Sequence, residues 1–302
     1  MKISQVLGVV AIAAPSTAAI VDAFVASPLS TPQNGQATAL SSRSCVKNTL
    51  IATRHVHSGS TNWALRMASS TGGSSPVRLV LKDSERLKAN EGADAFFYGN
   101  PRICYHVDQG FLTHLTSLYR ERIPAGGAVL DIMSSWVSHL PPDVMYSRVD
   151  GHGMNLEELG RNPRLDTKRV WDLNADPSLP FEKATYDAVL CTVSVQYLQQ
   201  PEKVFADVRR VLKPGGVAIF SFSNRMFSDK AISGWINRSG KGRLGLVSEY
   251  FNAVGGFGTP EIVERPAQEG AGFFAGFQDM FGMAGTGDPF FAVVATKEGG
   301  IQ

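Results

Sequence analysis

The chain has 302 residues, of which 43% are hydrophobic and 19% charged, so it can bury one large core or two small ones. The formal net charge of +2 gives no electrostatic case for a nucleic acid as the partner. The three cysteines, Cys45, Cys104 and Cys191, are far apart and form no closely spaced set with histidine. This spacing argues against a disulfide framework and against a zinc site, and it favours either a reducing compartment or buried inert thiols.

Residues 1–75 differ in composition from the rest of the chain. An apolar run, Val6–Ala14, is too short for a membrane span and is typical of a signal peptide. From Phe24 to Lys82 there is no Asp or Glu, and basic residues are scattered among many Ser and Thr, as in a transit peptide. We therefore predict a disordered leader over residues 1–75 and a single domain over residues 76–302.

The leader also resembles a known kind of targeting sequence. A signal peptide followed by a transit peptide that begins with Phe24 is similar to the bipartite leader of algae with secondary plastids. That resemblance implies a location in the plastid, or chloroplast. The alternative is a plain disordered N-terminus of a protein in the secretory pathway.

The domain begins with a helix and continues with short apolar strands. The helix is predicted from buried-type residues at helical spacing, from Phe111 to Tyr119, and it ends near Arg122. The first buried strand, Ala128–Leu130, is bounded by glycines and ends at Asp131. Further strands are predicted near Met145–Val149, Arg169–Trp171, Tyr186–Val193, Val217–Phe222, Glu261–Val263 and Phe290–Ala295.

Helices are predicted between these strands. Asn155 is placed to cap a helix that starts at Leu156, and Pro201 opens an amphipathic helix that Lys213–Gly216 ends. Lys230–Ala253 is predicted to carry one or two helices, interrupted at Ser239–Gly242. Alternating strands and helices indicate an α/β fold with a doubly wound, mostly parallel sheet, whose ligand lies beyond the carboxyl ends of the strands.

One later segment shows no period. Gly270–Gly287 is rich in glycine and phenylalanine. The phenylalanines from Phe273 to Phe281 form either an apolar lid or part of a loosely ordered loop.

Three short motifs resemble one family. L-P-F at Leu179–Phe181, Y-D-A-V at Tyr186–Val189 and R-V-L-K-P-G-G at Arg210–Gly216 are similar to motifs of class I S-adenosylmethionine-dependent methyltransferases of the type 11 kind. The resemblance covers Ala128–Phe222. It implies the methyltransferase fold, a seven-stranded Rossmann-like sheet with an antiparallel last strand. The implied activity is methyl transfer from S-adenosylmethionine to a small, apolar acceptor by in-line displacement.

The chain departs from the family pattern at two cofactor contacts. The family usually has D-x-G-x-G-x-G after the first strand, whereas Asp131–Pro141 reads D-I-M-S-S-W-V-S-H-L-P and resembles a divergent branch also found in cyanobacteria. Met133, Ser135 and Val137 replace glycines whose positive φ lets the backbone approach the ligand. The acid that usually ends the second strand is replaced by Gly153.

The resemblance nevertheless assigns a set of positions to the cofactor. It places Asp131 near the methionine amine through water, and Asp172 with the Leu173 amide near the adenine. Trp136 and His152 are candidates to replace lost contacts by stacking or hydrogen bonding. In the alternative interpretation, Asp172 and Asn174 are turn residues that bond their own backbone. The assigned cofactor positions are Asp131, Met133, Ser135, His152, Gly153, Asp172, Leu173, Asn174 and Thr192.

Candidate catalytic residues lie on the expected acceptor side. His106 precedes the first helix and is either a general base or a surface histidine. His139 either contacts the acceptor or only shapes the proline-rich loop after it. Tyr197 follows the fourth strand with Gln196 and is expected to line the acceptor side. Arg225, after the fifth strand, either meets an anionic acceptor or is a solvated charge.

Two alternative functions compete with methyl transfer. The altered loop favours a catalytically inactive methyltransferase-like protein that serves as a binding or assembly partner. A cleft filled by Trp136 would support that alternative, and an open cleft beside Asp131 would support the enzyme. A nicotinamide-dependent dehydrogenase is disfavoured, because the loop between Asp131 and its helix lacks the required G-x-G-x-x-G.

Overall fold

A computed structural model of the chain describes residues 77–267 and 287–299. The predicted leader in residues 1–75 and the glycine- and phenylalanine-rich residues 270–286 lie outside the described residues. Across the described ranges, no helix is long and apolar enough to span a lipid bilayer. The same two ranges contain no group of three His, Cys, Asp or Glu residues placed to hold a metal ion.

Seven strands form one sheet. Their bounds are β1 Ala128–Asp131, β2 Arg148–Gly153, β3 Thr167–Val170, β4 Tyr186–Thr192, β5 Leu212–Phe222, β6 Glu261–Arg265 and β7 Phe290–Thr296. The strand order is β3-β2-β1-β4-β5-β7-β6. The neighbours from β3 to β5 are parallel, and β7 is antiparallel to both β5 and β6. The predicted doubly wound sheet with an antiparallel last strand is confirmed.

Six helices accompany the sheet in the described residues. Their bounds are α1 Asp94–Phe97, α2 Gln109–Arg122, α3 Leu156–Arg161, α4 Pro201–Val211, α5 Ser233–Ile236 and α6 Gly240–Val254. The starts of α2 and α3 follow from local chemistry. The Asp108 carboxylate accepts from the Phe111 amide at 2.8 Å, and the Asn155 side chain accepts from the amides of Glu157 and Glu158. Such caps satisfy amides that have no partner within the helix.

The core lies on both faces of the sheet. On one face, the apolar stripe of α2, with Phe111 and Leu115, packs against Val129, Leu190 and Ile219 of the central strands. The other face is covered by α4 and α6, whose buried apolar side chains include Val204, Phe205, Val208, Val247, Tyr250 and Phe251. The central strands are buried on both faces, so only their ends are accessible to solvent. A ligand must therefore approach the sheet at the strand ends.

Two element boundaries differ from the predictions. β2 continues to Gly153, although Gly151–Gly153 were predicted to follow the strand. A side chain at Gly151 would meet the Leu165 side chain at 2.8 Å, so these glycines allow close packing within the strand rather than a turn. The helix α6 begins at Gly240, inside the predicted interruption, because the Ser239 hydroxyl caps it by accepting from the Gly242 amide at 3.3 Å.

Candidate functional site

A cleft opens where the parallel strands end. Its cavity measures about 380 Å³ and is lined by Asp131, Gly153 and Thr192, which are the last residues of β1, β2 and β4. This volume falls in the range of about 300–1,000 Å³ that is usual for small-molecule sites. The cleft therefore lies where open α/β sheets bind their ligands.

Asp131 is the buried carboxylate at the base of the cleft. Its side chain is 4% exposed and accepts a hydrogen bond from the Ser134 hydroxyl at 2.6 Å. Burial raises the pKa of Asp131 to about 6, and the hydroxyls of Ser134 and Ser138 offset only part of this effect. Beside it, the Tyr119 and Thr192 hydroxyls are 2.7 Å apart. Asp131 and Thr192, which the resemblance assigns to the cofactor, both line the cleft.

The loop after β1 keeps a left-handed backbone without glycine. Met133 has φ 54° and His139 has φ 53°, both in the region that favours glycine. The Ser134 amide donates to the His152 carbonyl at 2.7 Å, which ties the loop to β2. The Asn162 side chain donates to the Ser135 carbonyl at 3.1 Å. Hydrogen bonds thus hold this loop in its conformation, although it lacks the glycines that are usual at these positions.

Two further contacts fix the outer part of this loop. The Ser135 hydroxyl donates to the Glu158 carboxylate at 2.6 Å, and the same carboxylate accepts from the Arg102 amide at 2.7 Å. The Trp136 indole donates to the Cys104 carbonyl at 3.1 Å, and its ring contacts Tyr105. Trp136 therefore forms part of the cleft wall, and the cleft beside Asp131 is open.

The surroundings of Gly153 explain why the usual acid is absent from the end of β2. A Cβ atom at this position would overlap the backbone carbonyl oxygen of Ser134. The loop after β1 therefore occupies the space that a side chain at position 153 would need. Gly153 lines the cleft, but only with its backbone.

The residues after β3 combine turn formation with a position in the cleft. The Asp172 carboxylate accepts from the Asn174 amide at 2.8 Å, which is the local turn considered as the alternative. The Asn174 side chain donates to Asp94 and to the Tyr197 carbonyl, so it ties three segments together. Within residues 77–267 and 287–299, the backbone amide of Leu173 donates to no protein acceptor. All three residues line the cleft.

The three candidate catalytic residues line the same cleft. Burial lowers the pKa of His139 to about 4 and also lowers the pKa of His106, so both imidazoles are neutral near neutral pH. Burial raises the pKa of Tyr197, whose hydroxyl accepts from the Phe227 amide at 2.9 Å. The Tyr197 hydroxyl therefore stays protonated and can donate a hydrogen bond, but it does not act as a base.

His152 does not reach the cleft. Its side chain is fully buried within β2, on the face where its ring lies 6.4 Å from the Phe181 ring. Both ring nitrogens lack a hydrogen-bond partner in the described part of the chain, and burial lowers the pKa of His152 to about 3. The predicted cofactor contact is corrected, because the strand continues past this residue and directs its side chain into the core.

Sequence reasoning missed several polar residues of the cleft lining, among them Asp94, Glu158 and Arg102. Glu158 lies three residues after the cap Asn155, a spacing that predicts a side chain turned back to the helix start. Its carboxylate instead meets Ser135 and the Arg102 amide. Arg102 lines the cleft from an irregular segment, where no periodicity points to it. The isolated basic residue after the aromatic run Phe96–Tyr98 was the one available signal.

The described residues form a doubly wound α/β sheet with a cleft at the carboxyl ends of its parallel strands. Residues 151–220 match the family model described as a methyltransferase domain. With the sheet order, this match confirms the resemblance to class I S-adenosylmethionine-dependent methyltransferases.

Two curated proteins match parts of the chain. The bifunctional biotin biosynthesis protein BioHC of Teredinibacter turnerae is 30% identical over 74 residues, which cover 24% of this chain and 12% of that protein. The malonyl-[acyl-carrier protein] O-methyltransferase of Hahella chejuensis is 28% identical over 110 residues, or 35% of this chain and 39% of that protein. The matches thus span well under half of either relative.

Solved structures resemble the chain more distantly. The phosphoethanolamine N-methyltransferase 2 of Haemonchus contortus, in complex with S-adenosyl-L-methionine, is 17% identical, with a TM-score of 0.44 and coverage of 73% of this chain and 61% of that one. An S-adenosylmethionine-dependent methyltransferase of Mesorhizobium loti is 16% identical, with a TM-score of 0.37 and coverage of 60% and 96%.

Proposed function

We propose that the chain transfers a methyl group from S-adenosylmethionine to a small acceptor with an apolar body. The observation that carries the proposal is the open cleft at the ends of β1, β2 and β4, with the buried Asp131 at its base. Polar groups around Asp131 and Leu173 form one part of the cleft lining. Aromatic side chains, including Tyr98, Tyr197 and Phe227, form another part.

The polar part fits the chemistry of the cofactor. The Asp131 carboxylate is suited to the ammonium group of the methionine moiety, and the unpartnered Leu173 amide can donate to an adenine nitrogen. When bound, S-adenosylmethionine would supply an electrophilic methyl group on a positively charged sulfur. Because Gly153 carries no side chain, the hydroxyl groups of the ribose would have to meet other acceptors in this cleft, and the Glu158 carboxylate is available at its edge.

The acceptor side of the cleft holds and orients the acceptor rather than strongly activating it. His106 lines the cleft, and its ring lies 5.7 Å from the Phe227 ring. We therefore assign it, rather than His139, to take a proton from the acceptor. The hydroxyl of Tyr197 stays protonated and can donate a hydrogen bond. The aromatic walls exclude water and position an apolar acceptor for displacement.

Calorimetric titration of the full chain with S-adenosylhomocysteine tests the proposal. We expect saturable binding that Asp131→Ala weakens by about tenfold or more, or roughly 1.4 kcal/mol. Asp143→Ala is the matched control, because Asp143 is an exposed carboxylate that pairs with Arg120 away from the cleft. Absence of saturable binding at millimolar ligand would overturn the proposal.

A catalytically inactive binding or assembly protein is the second candidate. The absence of glycine at Met133 and Ser135 and of an acid at Gly153 favours it. Under this alternative, the intact chain would not bind S-adenosylhomocysteine, and affinity capture with the folded chain would return a specific protein partner. The open cleft beside Asp131 argues for the enzyme.

We also propose a location in the plastid, which rests on the sequence of residues 1–75 alone. A fusion of these residues to a fluorescent protein should enter the plastid of an alga with secondary plastids. Phe24→Ala should leave the fusion outside the plastid stroma. Secretion of the unmodified fusion would instead support the alternative, a protein of the secretory pathway.

A further inference from the structure

An aromatic cluster around Phe227 forms the acceptor side of the cleft. The Phe227 ring lies 5.3 Å from the Phe97 ring and 6.2 Å from the Tyr197 ring, and its amide donates to the Tyr197 hydroxyl. The Arg102 guanidinium lies 4.6 Å from the Phe97 centroid and 5.2 Å from the Phe227 centroid. The planar cation is thus held against two rings, an arrangement that fixes its orientation.

The Arg102 side chain forms no ion pair in the described part of the chain, although its backbone amide donates to the Glu158 carboxylate at 2.7 Å. Its guanidinium donates one hydrogen bond, from Nη2 to the Phe97 carbonyl at 3.1 Å, and none of the ion pairs among the described residues includes it. The other arginine of the cleft, Arg225, is paired with Asp288 at 2.5 Å. A guanidinium has five N–H donors, so Arg102 retains donors for a ligand.

The charges of the cleft are unevenly distributed. The carboxylates of Asp131 and Asp172 lie at the ends of β1 and β3, where the cofactor is proposed to bind. Arg102 lies with the aromatic cluster on the acceptor side, and the neighbouring His106 is neutral near neutral pH because burial lowers its pKa. Two carboxylates of the lining are already engaged by the protein, Glu158 by the Ser135 hydroxyl and the Arg102 amide and Asp94 by Lys88 and Lys230. The Arg102 guanidinium is therefore the charge without an ion-pair partner that contacts the rings on this side of the cleft.

We propose that the acceptor carries a carboxylate on its apolar body and that Arg102 binds this carboxylate. The planar fork of the guanidinium matches the two oxygens of a carboxylate, and the surrounding rings match an apolar or aromatic body. The proposal rests on the proposed function for the use of the cleft, but it concerns binding alone and is testable without methyl transfer.

A cationic acceptor is the main competing class, because aromatic clusters also bind ammonium groups. Here, however, cations of the protein already lie against the rings. Besides Arg102, the Lys230 ammonium lies 5.4 Å from the Phe97 centroid and contacts Asp94 at 3.0 Å. A second cation would be repelled by Arg102, whereas an anion would be attracted.

The test compares three ligands of the same size and different charge. Cinnamate, cinnamamide and cinnamylamine are titrated into the full chain by calorimetry, with and without saturating S-adenosylhomocysteine. We expect cinnamate to bind about tenfold more tightly than cinnamamide, or roughly 1.4 kcal/mol, and cinnamylamine to bind most weakly. Equal or tighter binding of the amide or amine, or no binding of any of the three, would overturn the proposal without recourse to a variant.

Variants then assign the preference to Arg102. Arg102→Gln should remove the preference for cinnamate while leaving the affinity for S-adenosylhomocysteine unchanged, and Arg102→Lys should keep part of the preference. Arg161→Gln is the matched control, because Arg161 is an exposed arginine paired with Glu157 on α3. An unchanged preference in a folded Arg102→Gln chain would overturn the role of Arg102. Failure of S-adenosylhomocysteine to bind, with the cinnamate preference intact, would overturn only the proposed function.

Discussion

Met133 shows how a single residue can keep a backbone shape that glycine usually provides. Its φ of 54° lies in the left-handed region, which costs an L-residue about 1–2 kcal/mol. The next residue anchors this shape, because the Ser134 amide donates to β2 and the Ser134 hydroxyl donates to Asp131. Strain of this kind persists where the surroundings determine the backbone, often at functional sites.

The buried carboxyl of Asp131 is predicted to lower the stability of the fold while it supports binding of S-adenosylhomocysteine. Its folded pKa of about 6 exceeds its usual value of 3.8, so the folded state holds the proton more tightly than the unfolded state. The destabilising effect is absent below the usual pKa, grows as pH rises and is complete above about pH 6. Asp131→Asn should therefore stabilise the fold by about 2–3 kcal/mol near pH 7 and by little near pH 4.

Urea unfolding of both chains across this pH range, without ligand, measures the difference. The same variant should lose affinity for S-adenosylhomocysteine, because a neutral amide does not attract an ammonium group. A variant that is less stable than the parent at neutral pH would contradict the inferred cost of burying the charge.

His152 predicts the opposite pH dependence. Its folded pKa of about 3 lies below its usual value of 6.5, so the unfolded chain takes up a proton that the folded chain excludes. Stability is therefore lost as pH falls below the usual pKa. His152→Leu should gain about 3 kcal/mol relative to the parent between about pH 6.5 and pH 4.

Thermal or urea unfolding of the parent and the leucine variant at matched pH values checks this. Contributions from other groups cancel in the difference between the two chains. Because His152 lies outside the cleft, the variant should bind S-adenosylhomocysteine as the parent does. A pH-independent difference would show that the ring is solvated rather than buried.

At the scale of elements, the contact between the loop after β1 and the end of β2 controls the cleft. Gly153→Ala would force the Ser134 carbonyl away and carry Asp131's partner hydroxyl with it. We expect a loss of about 2 kcal/mol or more in the free energy of unfolding and about tenfold weaker binding of S-adenosylhomocysteine.

Gly160→Ala is the matched control for this prediction. Gly160 lies in α3, and a Cβ there would have no atom within 4 Å. Alanine should stabilise the helix by about 0.5–1 kcal/mol. If both variants unfold at the same denaturant concentration as the parent, the tight contact at Gly153 is not a constraint on the fold.

At the scale of the whole molecule, Glu202 ties the segment before α1 to the sheet domain. Its carboxylate is 1% exposed and accepts from the amides of Val80 and Leu81 and from both terminal nitrogens of Arg86. Burial raises the pKa of Glu202, but the hydrogen bonds from Arg86 and the two amides outweigh it, so the pKa lies below its usual value. The stabilising effect is present above about pH 4.5 and is lost at lower pH.

Glu202→Gln should cost about 3 kcal/mol near pH 7, because it leaves the Arg86 charge without its buried partner. Hydrogen exchange should then be faster at the Val80 and Leu81 amides than in β4 or β5. The exposed pair Arg78–Glu249 provides the control, and Glu249→Gln should cost less than about 1 kcal/mol. Equal effects of the two variants would contradict the structural role of Glu202.

The sequence predicted the elements whose signals are local. The five apolar residues of α2, from Phe111 to Tyr119, are all buried as expected, because helical spacing depends only on near neighbours. β4 and β7 were found because continuous apolar runs need burial on both faces. The end of β2 was misplaced, because Gly151 and Gly153 indicate a turn until the packing of neighbouring segments is known.

The site was predicted in part for the same reason. Asp131, which ends β1, and Leu173 and Tyr197, which follow the ends of β3 and β4, line the cleft as topology alone leads one to expect. Whether the His152 side chain points into the core depends on the exact position and register of β2. A shift of one residue would direct it to the opposite face of the sheet. Glu158 and Arg102 depend on contacts between segments far apart in the chain, which periodicity does not encode.

The contact between Ser134 and Gly153 also restricts how such a chain can change over generations. An acid at position 153 cannot be restored by one substitution, because the loop must first leave the space that the side chain would enter. The two positions are therefore coupled, because an acid at position 153 without a change in the loop would meet the Ser134 carbonyl. Among chains that share this serine-containing loop, glycine should recur at position 153, and an acid there should occur only together with a different loop.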